Sequence, residues 1–105
     1  MSGLKSKQKG YRYEAKLRAM HLDIGIHAER VPLSGAAGGS YTGDLVIDGE
    51  FRAECKARAN GQGFKVLEEW KRENDILFLF RDRKLPLVCM DWDVYARIMS
   101  PKVDV

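Results

Sequence analysis

The sequence predicts a single α/β domain in which helices lie against a mixed β-sheet. Three observations predict it: a helical spacing of apolar residues near the N-terminus, a strand–turn–strand pattern over residues 43–56, and two further apolar strands between two short helical patterns. With 105 residues, of which 45% are hydrophobic and 31% charged, the chain has the size and composition of one globular domain spanning residues 1–105.

The first helix is predicted from Tyr11 to about Ile24, with Gly25 ending it as a C-cap residue. An extended segment over residues 26–33 stops at Pro32, and a loop with four glycines follows it. That loop is either a plain surface linker or a segment that orders on a phosphate backbone through its amide groups. The helix is indicated by apolar residues at spacings of four, three and four: Tyr13, Leu17, Met20 and Ile24.

The hairpin of residues 43–56 has two conceivable registers. A two-residue loop of Asp48 and Gly49 would place Asp44 opposite Ala53 and mix apolar and charged side chains on both faces. A three-residue loop, 48–50, would pair Asp44 with Glu54 and separate an apolar face from a polar one. Burial favours this second register, because a slip of one residue turns every side chain over. The polar face would then carry Asp44, Val46, Arg52, Glu54 and Lys56.

The remaining elements are shorter. Residues 64–74 predict a helix with Phe64, Leu67 and Trp70 on one side. Residues 75–80 form a continuous apolar run typical of a strand covered on both faces. A polar turn is predicted over residues 81–86, a second strand over 87–92, and a last helix over 94–99 that Asp93 would cap.

The N-terminal part of the chain is strongly basic. Residues 1–18 contain six cations and the single acid Glu14, a local balance of +5, and about the first ten residues form a basic arm. Such an arm suits a phosphate backbone, and a solvated, partly frayed terminus is an equally good interpretation. The cations are Lys5, Lys7, Lys9, Arg12, Lys16 and Arg18.

No apolar run approaches the roughly 18 residues of a membrane-spanning helix, and no apolar leader segment follows the first lysines. We therefore expect a cytoplasmic protein without a membrane partner.

The polar face of the hairpin carries the candidate chemistry. Two carboxylates about 5 Å apart repel each other unless a proton or a cation lies between them. Mg²⁺ suits Asp44 and Glu54, because it takes oxygen ligands and keeps waters for a substrate phosphate, and the backbone carbonyl of Cys55 could add an oxygen. Lys56 could orient or deprotonate a water, or stabilise transition-state charge. The pattern predicts phosphodiester hydrolysis, although a solvated strand with weak ion pairs would use the same residues.

The hairpin sequence GDLVIDGEFRAECK resembles the PD-(D/E)xK nuclease pattern, with Gly43 where that family often has proline. Together with KGYRYEAKL and ERVPLSGAAGG upstream, it makes the chain similar, from about Lys9 to Phe80, to archaeal-type Holliday junction resolvases. The resemblance implies a restriction-endonuclease-like fold, a central mixed β-sheet flanked by helices. It also implies a homodimer that makes paired nicks in four-way DNA junctions with Mg²⁺, in recombination and repair, and we expect Mn²⁺ to substitute.

The same resemblance implies roles for single residues. Asp44 and Glu54 would ligate the metal, Glu14 would contact it directly or through water, and Lys56 would be the catalytic lysine. Arg30 would hold either DNA phosphate or the site itself. The loop serine of the resolving activity would be Ser34, with Ser40 as a competing candidate beside the DNA. The basic residues Lys5, Lys7, Lys9 and Arg12 are the predicted DNA contacts.

Two other interpretations of the sequence stay open. The same nuclease site could act on flaps, ends or ordinary duplex instead of junctions. Alternatively, the protein could bind DNA without any catalysis.

Overall fold

The structure of the protein is a computed structural model, which describes residues 2–31 and 44–101, with the side chains of the first helix from Arg12 onwards. The elements are α1 (Ser2–Asp23), β1 (Ala28–Arg30), β2 (Leu45–Ile47), β3 (Phe51–Ala53), α2 (Phe64–Lys71), β4 (Ile76–Arg81), β5 (Lys84–Met90) and α3 (Trp92–Met99). This makes a small α/β protein, as predicted.

The chain divides into two compact units. The first unit contains the described residues up to Ala57 together with Pro101, and the second unit contains residues 58–100. The prediction of one domain over residues 1–105 stays a prediction.

Helix α1 is longer than the sequence pattern predicts, because it begins at Ser2 and not near Tyr11. Residues 1–10 are therefore largely part of the helix and not a separate arm. Their lysines, glutamine and leucine are good helix formers, a preference that apolar periodicity does not reveal.

The C-terminal end of α1 is as predicted. Gly25 has a positive φ of 81°, which glycine adopts without strain. Its N–H donates to the carbonyl of Leu22 at 3.0 Å, and the N–H of Ile26 donates to the carbonyl of His21 at 2.9 Å. These two bonds form a Schellman motif, which satisfies carbonyls at the helix end and turns the chain into β1.

The first unit contains an antiparallel sheet in the order β1-β2-β3. Leu45 lies opposite Ala53, and Ile47 opposite Phe51, so the loop has three residues and the register that burial favours is confirmed. Leu45 and Ile47 are buried as expected, whereas Phe51, next to the loop on the outer strand β3, is about half exposed. Around this sheet the buried residues of the first unit are Ile26, Ala28, Leu45, Ile47 and His21.

In the second unit, β4 and β5 form a two-stranded antiparallel sheet. Phe80 is 81% exposed and Phe78 more than half exposed, so the expectation that this strand is covered on both faces is wrong. Among the described residues β4 pairs with β5 alone, and a lone hairpin leaves apolar side chains in water. The described strands thus form two antiparallel sheets, without a mixed sheet that joins them.

Three predicted boundaries in the second unit are also wrong. Helix α2 ends at Lys71 and not at residue 74. Strand β5 begins at Lys84, because the turn before it is only two residues long and Arg83 takes a positive φ of 61°. Helix α3 begins at Trp92 with Asp91 as its N-cap residue, and Asp93 lies in the first helical turn. An acid in the first turn still interacts favourably with the helix dipole, which explains why either aspartate fits the start of a helix.

Candidate active site

Asp44 lies directly before the middle strand of the first sheet, and its backbone bonds to both neighbouring strands. Its N–H donates to the carbonyl of Ala53 at 2.7 Å, and its carbonyl accepts from the N–H of Val31 at 3.0 Å. Its side chain accepts a hydrogen bond from the backbone N–H of Cys55, with 2.6 Å between nitrogen and Oδ2. The carboxylate is therefore fixed across the hairpin, and its other oxygen is the one that could bind a cation.

Glu54 and Lys56 lie beside each other, as the strand period predicts. Lys56 Nζ is 3.3 Å from Glu54 Oε1, and the two side chains are 65% and 52% exposed. An ion pair that is so open to water contributes about 0–1 kcal/mol. Both groups can consequently leave each other for a metal ion or a phosphate at little cost.

Glu14 is held by Arg30. The guanidinium donates to Glu14 Oε2 from Nη2 at 2.7 Å and from Nε at 3.3 Å. The side chains are only 21% and 15% exposed, for Arg30 and Glu14 respectively. Both roles predicted for Arg30, holding DNA phosphate and holding the site, stay predictions. A second link between α1 and β1 runs from Arg18 Nε to the carbonyl of Ala28 at 3.0 Å.

The three predicted acids act on the same thiol. Burial raises the pKa of Cys55, and the negative charges of Asp44, Glu14 and Glu54 raise that pKa further, in this order. Of these acids, α1 supplies Glu14 and the hairpin supplies Asp44 and Glu54. The structure shows two direct contacts among the predicted residues of the hairpin, Asp44 with the N–H of Cys55 and Glu54 with Lys56, while Glu14 is paired with Arg30.

A metal ion would find oxygen donors here. Carboxylates and a backbone carbonyl are ligands that suit Mg²⁺, so the donor types at Asp44, Glu54 and Cys55 fit the predicted ion. Within residues 12–31 and 44–101, however, no three His, Cys, Asp or Glu side chains are arranged as a metal site. Glu54 would have to turn away from Lys56 to join Asp44 as a ligand.

Several predicted site residues lie outside the described part of the chain. Ser34 and Ser40 belong to residues 32–43, and the side chains of Lys5, Lys7 and Lys9 precede Arg12, where the described side chains of α1 begin. Arg12 itself is exposed, and its guanidinium carbon is 5.8 Å from the centre of the Tyr13 ring.

Two contacts that organise the site have no counterpart in the sequence pattern. The Glu14–Arg30 pair joins residues 16 positions apart, and the bond from Cys55 N–H to Asp44 spans 11 positions. The second could have been anticipated from the register, because Cys55 follows the residue opposite Asp44. The first depends on how α1 packs against β1, which no local spacing reveals.

None of the helices among the described residues combines the length and the apolar character needed to cross a membrane. No protein-family model matches the chain, and no curated protein or solved structure is significantly similar to it. The resemblance to junction resolvases therefore depends on the motif residues and on their arrangement.

Proposed function

We propose that the protein is a Mg²⁺-dependent endonuclease that hydrolyses phosphodiester bonds in branched DNA, and that it resolves four-way junctions by paired nicks. The observation that supports it most is the hairpin register. That register pairs Leu45 with Ala53, so Asp44 and Glu54 are the residues that flank this pair. Lys56 Nζ lies 3.3 Å from Glu54 Oε1, and the Asp44 carboxylate accepts from the N–H of Cys55. A purely solvated strand face would not need a carboxylate fixed by a backbone N–H.

The residues of the site divide into fixed and movable groups. Asp44 is fixed by the N–H of Cys55, and Glu14 is fixed by Arg30, so these two charges are in place before substrate arrives. Glu54 and Lys56 are exposed and weakly paired, so they can rearrange around a phosphate. This combination gives a preformed negative site with one mobile cation beside it.

The proposed reaction is hydrolysis of one DNA strand. The oxygen of a water forms a bond to phosphorus and gives up one proton, the bond from phosphorus to one ester oxygen breaks, and that leaving oxygen takes up one proton in exchange. Lys56 would orient the water or stabilise the charge on the phosphoryl oxygens. Mg²⁺, held by Asp44 and Glu54, would polarise the phosphoryl group and lower the pKa of the water.

The fold and assembly belong to the same proposal. A helix followed by the antiparallel strands β1-β2-β3, with acids at the strand ends, is compatible with the restriction-endonuclease-like fold. A homodimer would match the approximate two-fold symmetry of a four-way junction and supply one site for each of two nicks. Light scattering of the purified protein would measure the mass and test the dimer.

The decisive experiment compares a labelled four-way junction with a linear duplex of the same arm sequence, in Mg²⁺, in Mn²⁺ and in EDTA. Asp44→Asn keeps the shape of the side chain and should lower cleavage by roughly 10²-fold or more, because a preorganised charge is lost. Asp48→Asn is the matched control, since Asp48 lies in the exposed loop with a φ of 55°, which asparagine tolerates.

The outcomes separate the candidates. Metal-dependent paired nicks in the junction alone, lost in Asp44→Asn and retained in Asp48→Asn, support a resolvase. Equal cutting of both substrates would keep the nuclease and reject the junction specificity, in favour of flaps, ends or duplex. No cutting by well-folded protein in either metal would reject catalysis.

One observation favours a second candidate, a DNA-binding protein without catalysis. The exposed pair of Glu54 and Lys56 is what an ordinary polar strand face also carries. This candidate expects junction or duplex affinity that survives Lys56→Ala, with no metal-dependent cleavage by either form.

A further inference from the structure

Helix α1 carries a basic surface in addition to its contribution to the candidate active site. In a helix, residues at spacings of four, three and four lie on one side. Because α1 extends from Ser2 to Asp23, this spacing groups four cations along it. We call them the basic stripe: Lys5, Lys9, Arg12 and Lys16.

The basic stripe lies on the side of α1 opposite the candidate active site. The site side is identified by its contacts to β1, where Glu14 pairs with Arg30 and Arg18 bonds to Ala28. Arg12 and Lys16 each lie two positions from Glu14, which is about 200° around the helix. Both are exposed, in agreement with this geometry. Lys7 is two helical turns before Glu14, so its position belongs to the site side.

The chemistry of the stripe suits an extended polyanion. From position 5 to position 16 the helix rises about 16 Å, the length of roughly five nucleotide steps along a DNA strand. No acidic residue interrupts this side between the two positions. The Arg12 guanidinium lies near the Tyr13 ring, a contact that leaves its N–H groups at the edge free to donate. Such an array fits a row of phosphates better than one small anion.

Two opposite sides of one helix cannot contact the same stretch of DNA backbone. An α-helix with its side chains is about 10–12 Å wide, so a strand at Asp44 and Glu14 is separated from the stripe by the body of α1. A branched substrate, in contrast, offers separate arms that can lie on the two sides.

We infer that the basic stripe binds a second DNA arm while the acidic site binds the arm to be cut, and that this double contact is the source of the preference for branched DNA. The inference rests on the proposed function for its substrate. Linking two weak contacts in one complex raises affinity by orders of magnitude when the substrate spans both, and linear duplex does not span both.

The test measures binding with Ca²⁺ in place of Mg²⁺, so that a hard cation can lie between the acidic site and the phosphates, and it uses only samples in which the probes are uncut. The probes are a labelled four-way junction and a linear duplex of the same arm sequence, titrated at several salt concentrations. The variant is Arg12→Ala/Lys16→Ala, in which alanine preserves helix propensity. The control is Lys65→Ala/Arg97→Ala, which removes one lysine and one arginine from exposed positions of other helices. Circular dichroism confirms that both variants are folded.

We expect the ratio of junction affinity to duplex affinity to fall roughly tenfold in the stripe variant and to stay unchanged in the control. The slope of the logarithm of the junction binding constant against the logarithm of salt concentration should become shallower by about two, one for each cation removed. An unchanged ratio, which includes an equal fold loss of affinity for both probes, would overturn the inference. An equal effect of the control variant would overturn it too.

Failure of this inference can be told apart from failure of the proposed function. If wild-type protein cuts no DNA but its junction preference is lost in the stripe variant, the double contact stands and the nuclease is rejected. If wild type cuts junctions and the stripe variant keeps the full preference, the nuclease stands and the double contact is rejected.

Discussion

The two units of the chain differ in how they use their apolar residues. In the first unit, Leu45 and Ala28 are wholly buried beside the polar groups that form the candidate site. In the second unit, Val94 is the one apolar residue among the described residues that is buried, while Phe80 and Leu85 are almost fully exposed. A fixed carboxylate needs surroundings that do not move, and the first unit provides them.

The second unit has strand pairing and polar links but little buried apolar surface. Its strands pair along most of their length, and Lys71 at the end of α2 is linked to two other segments. Burial of apolar area usually supplies most of the stability of a fold, so we expect mutations to have larger effects in the first unit than in the second. Four predictions test this contrast, from the largest expected effect to the smallest.

The sharpest contrast is between Leu45→Ala and Phe80→Ala. Leu45 has no exposed surface, so the substitution should leave a cavity and lower the free energy of unfolding by about 2–5 kcal/mol. Phe80 is largely exposed, so its loss should cost less than about 1 kcal/mol. Urea unfolding of both variants measures the difference. Equal effects would mean that the contrast between the units does not hold.

The next prediction concerns the Glu14–Arg30 pair of the first unit. Arg30→Ala leaves a mostly buried carboxylate without its cation, which should cost about 1–3 kcal/mol of unfolding free energy. Glu14→Gln/Arg30→Ala removes both charges and should recover part of that loss. A double-mutant cycle measures the coupling between the two side chains. Additive effects would show that the pair is not coupled and would weaken the role of Arg30 as the residue that positions Glu14.

The corresponding test in the second unit uses Lys71. Its Nζ donates to the carbonyl of Asn74 at 3.0 Å and lies 3.2 Å from Asp91 Oδ2, in front of α3. Lys71→Ala should destabilise the protein by about 1 kcal/mol, because a hydrogen bond and a half-exposed ion pair are lost together. Lys65→Ala, on an exposed side of the same helix, should have no measurable effect on the urea midpoint. If the two variants behave alike, Lys71 does not hold the unit together.

The smallest expected effect is on the reactivity of the Cys55 thiol. Burial and the charges of Asp44, Glu14 and Glu54 raise the pKa of Cys55, so at a given pH less of its reactive thiolate is present. Asp44→Asn removes one negative charge and should lower this pKa, which should speed alkylation of Cys55 severalfold at fixed pH. Iodoacetamide labelling followed by peptide mass spectrometry, over a range of pH, measures it. Asp48→Asn is the control, and a pH profile of Cys55 that does not move in Asp44→Asn would place that carboxylate away from the thiol.

The sequence predicts the parts of the molecule that depend on neighbours along the chain. The pairing of Leu45 with Ala53 follows from the two-residue period and the length of one loop, and the role of Gly25 follows from the geometry of a helix end. The sequence does not predict the start of β5, because residues 84–86 have the composition of a turn. Pairing with β4 overrides that local preference.

What the sequence does not predict is contact between distant elements. Nothing in the spacing of Glu14 and Arg30 shows that α1 would bring them together, since that depends on the packing of a whole helix against a sheet. The exposure of Phe78 and Phe80 was missed for the same reason, because a run of apolar residues reveals the preference of a strand but not the presence of a cover.

The three-residue loop between β2 and β3 has a consequence for how this chain can change. Substitutions at residues 48–50 alter only exposed side chains, provided that the positive φ values of Asp48 and Gly49 are respected. An insertion or deletion of one residue there would rotate Asp44 or Glu54 to the opposite face of the sheet without replacing either of them. An alignment would still show both acids, although they would no longer lie on the same face. The length of this loop is therefore a better marker of the proposed activity than the acids it joins.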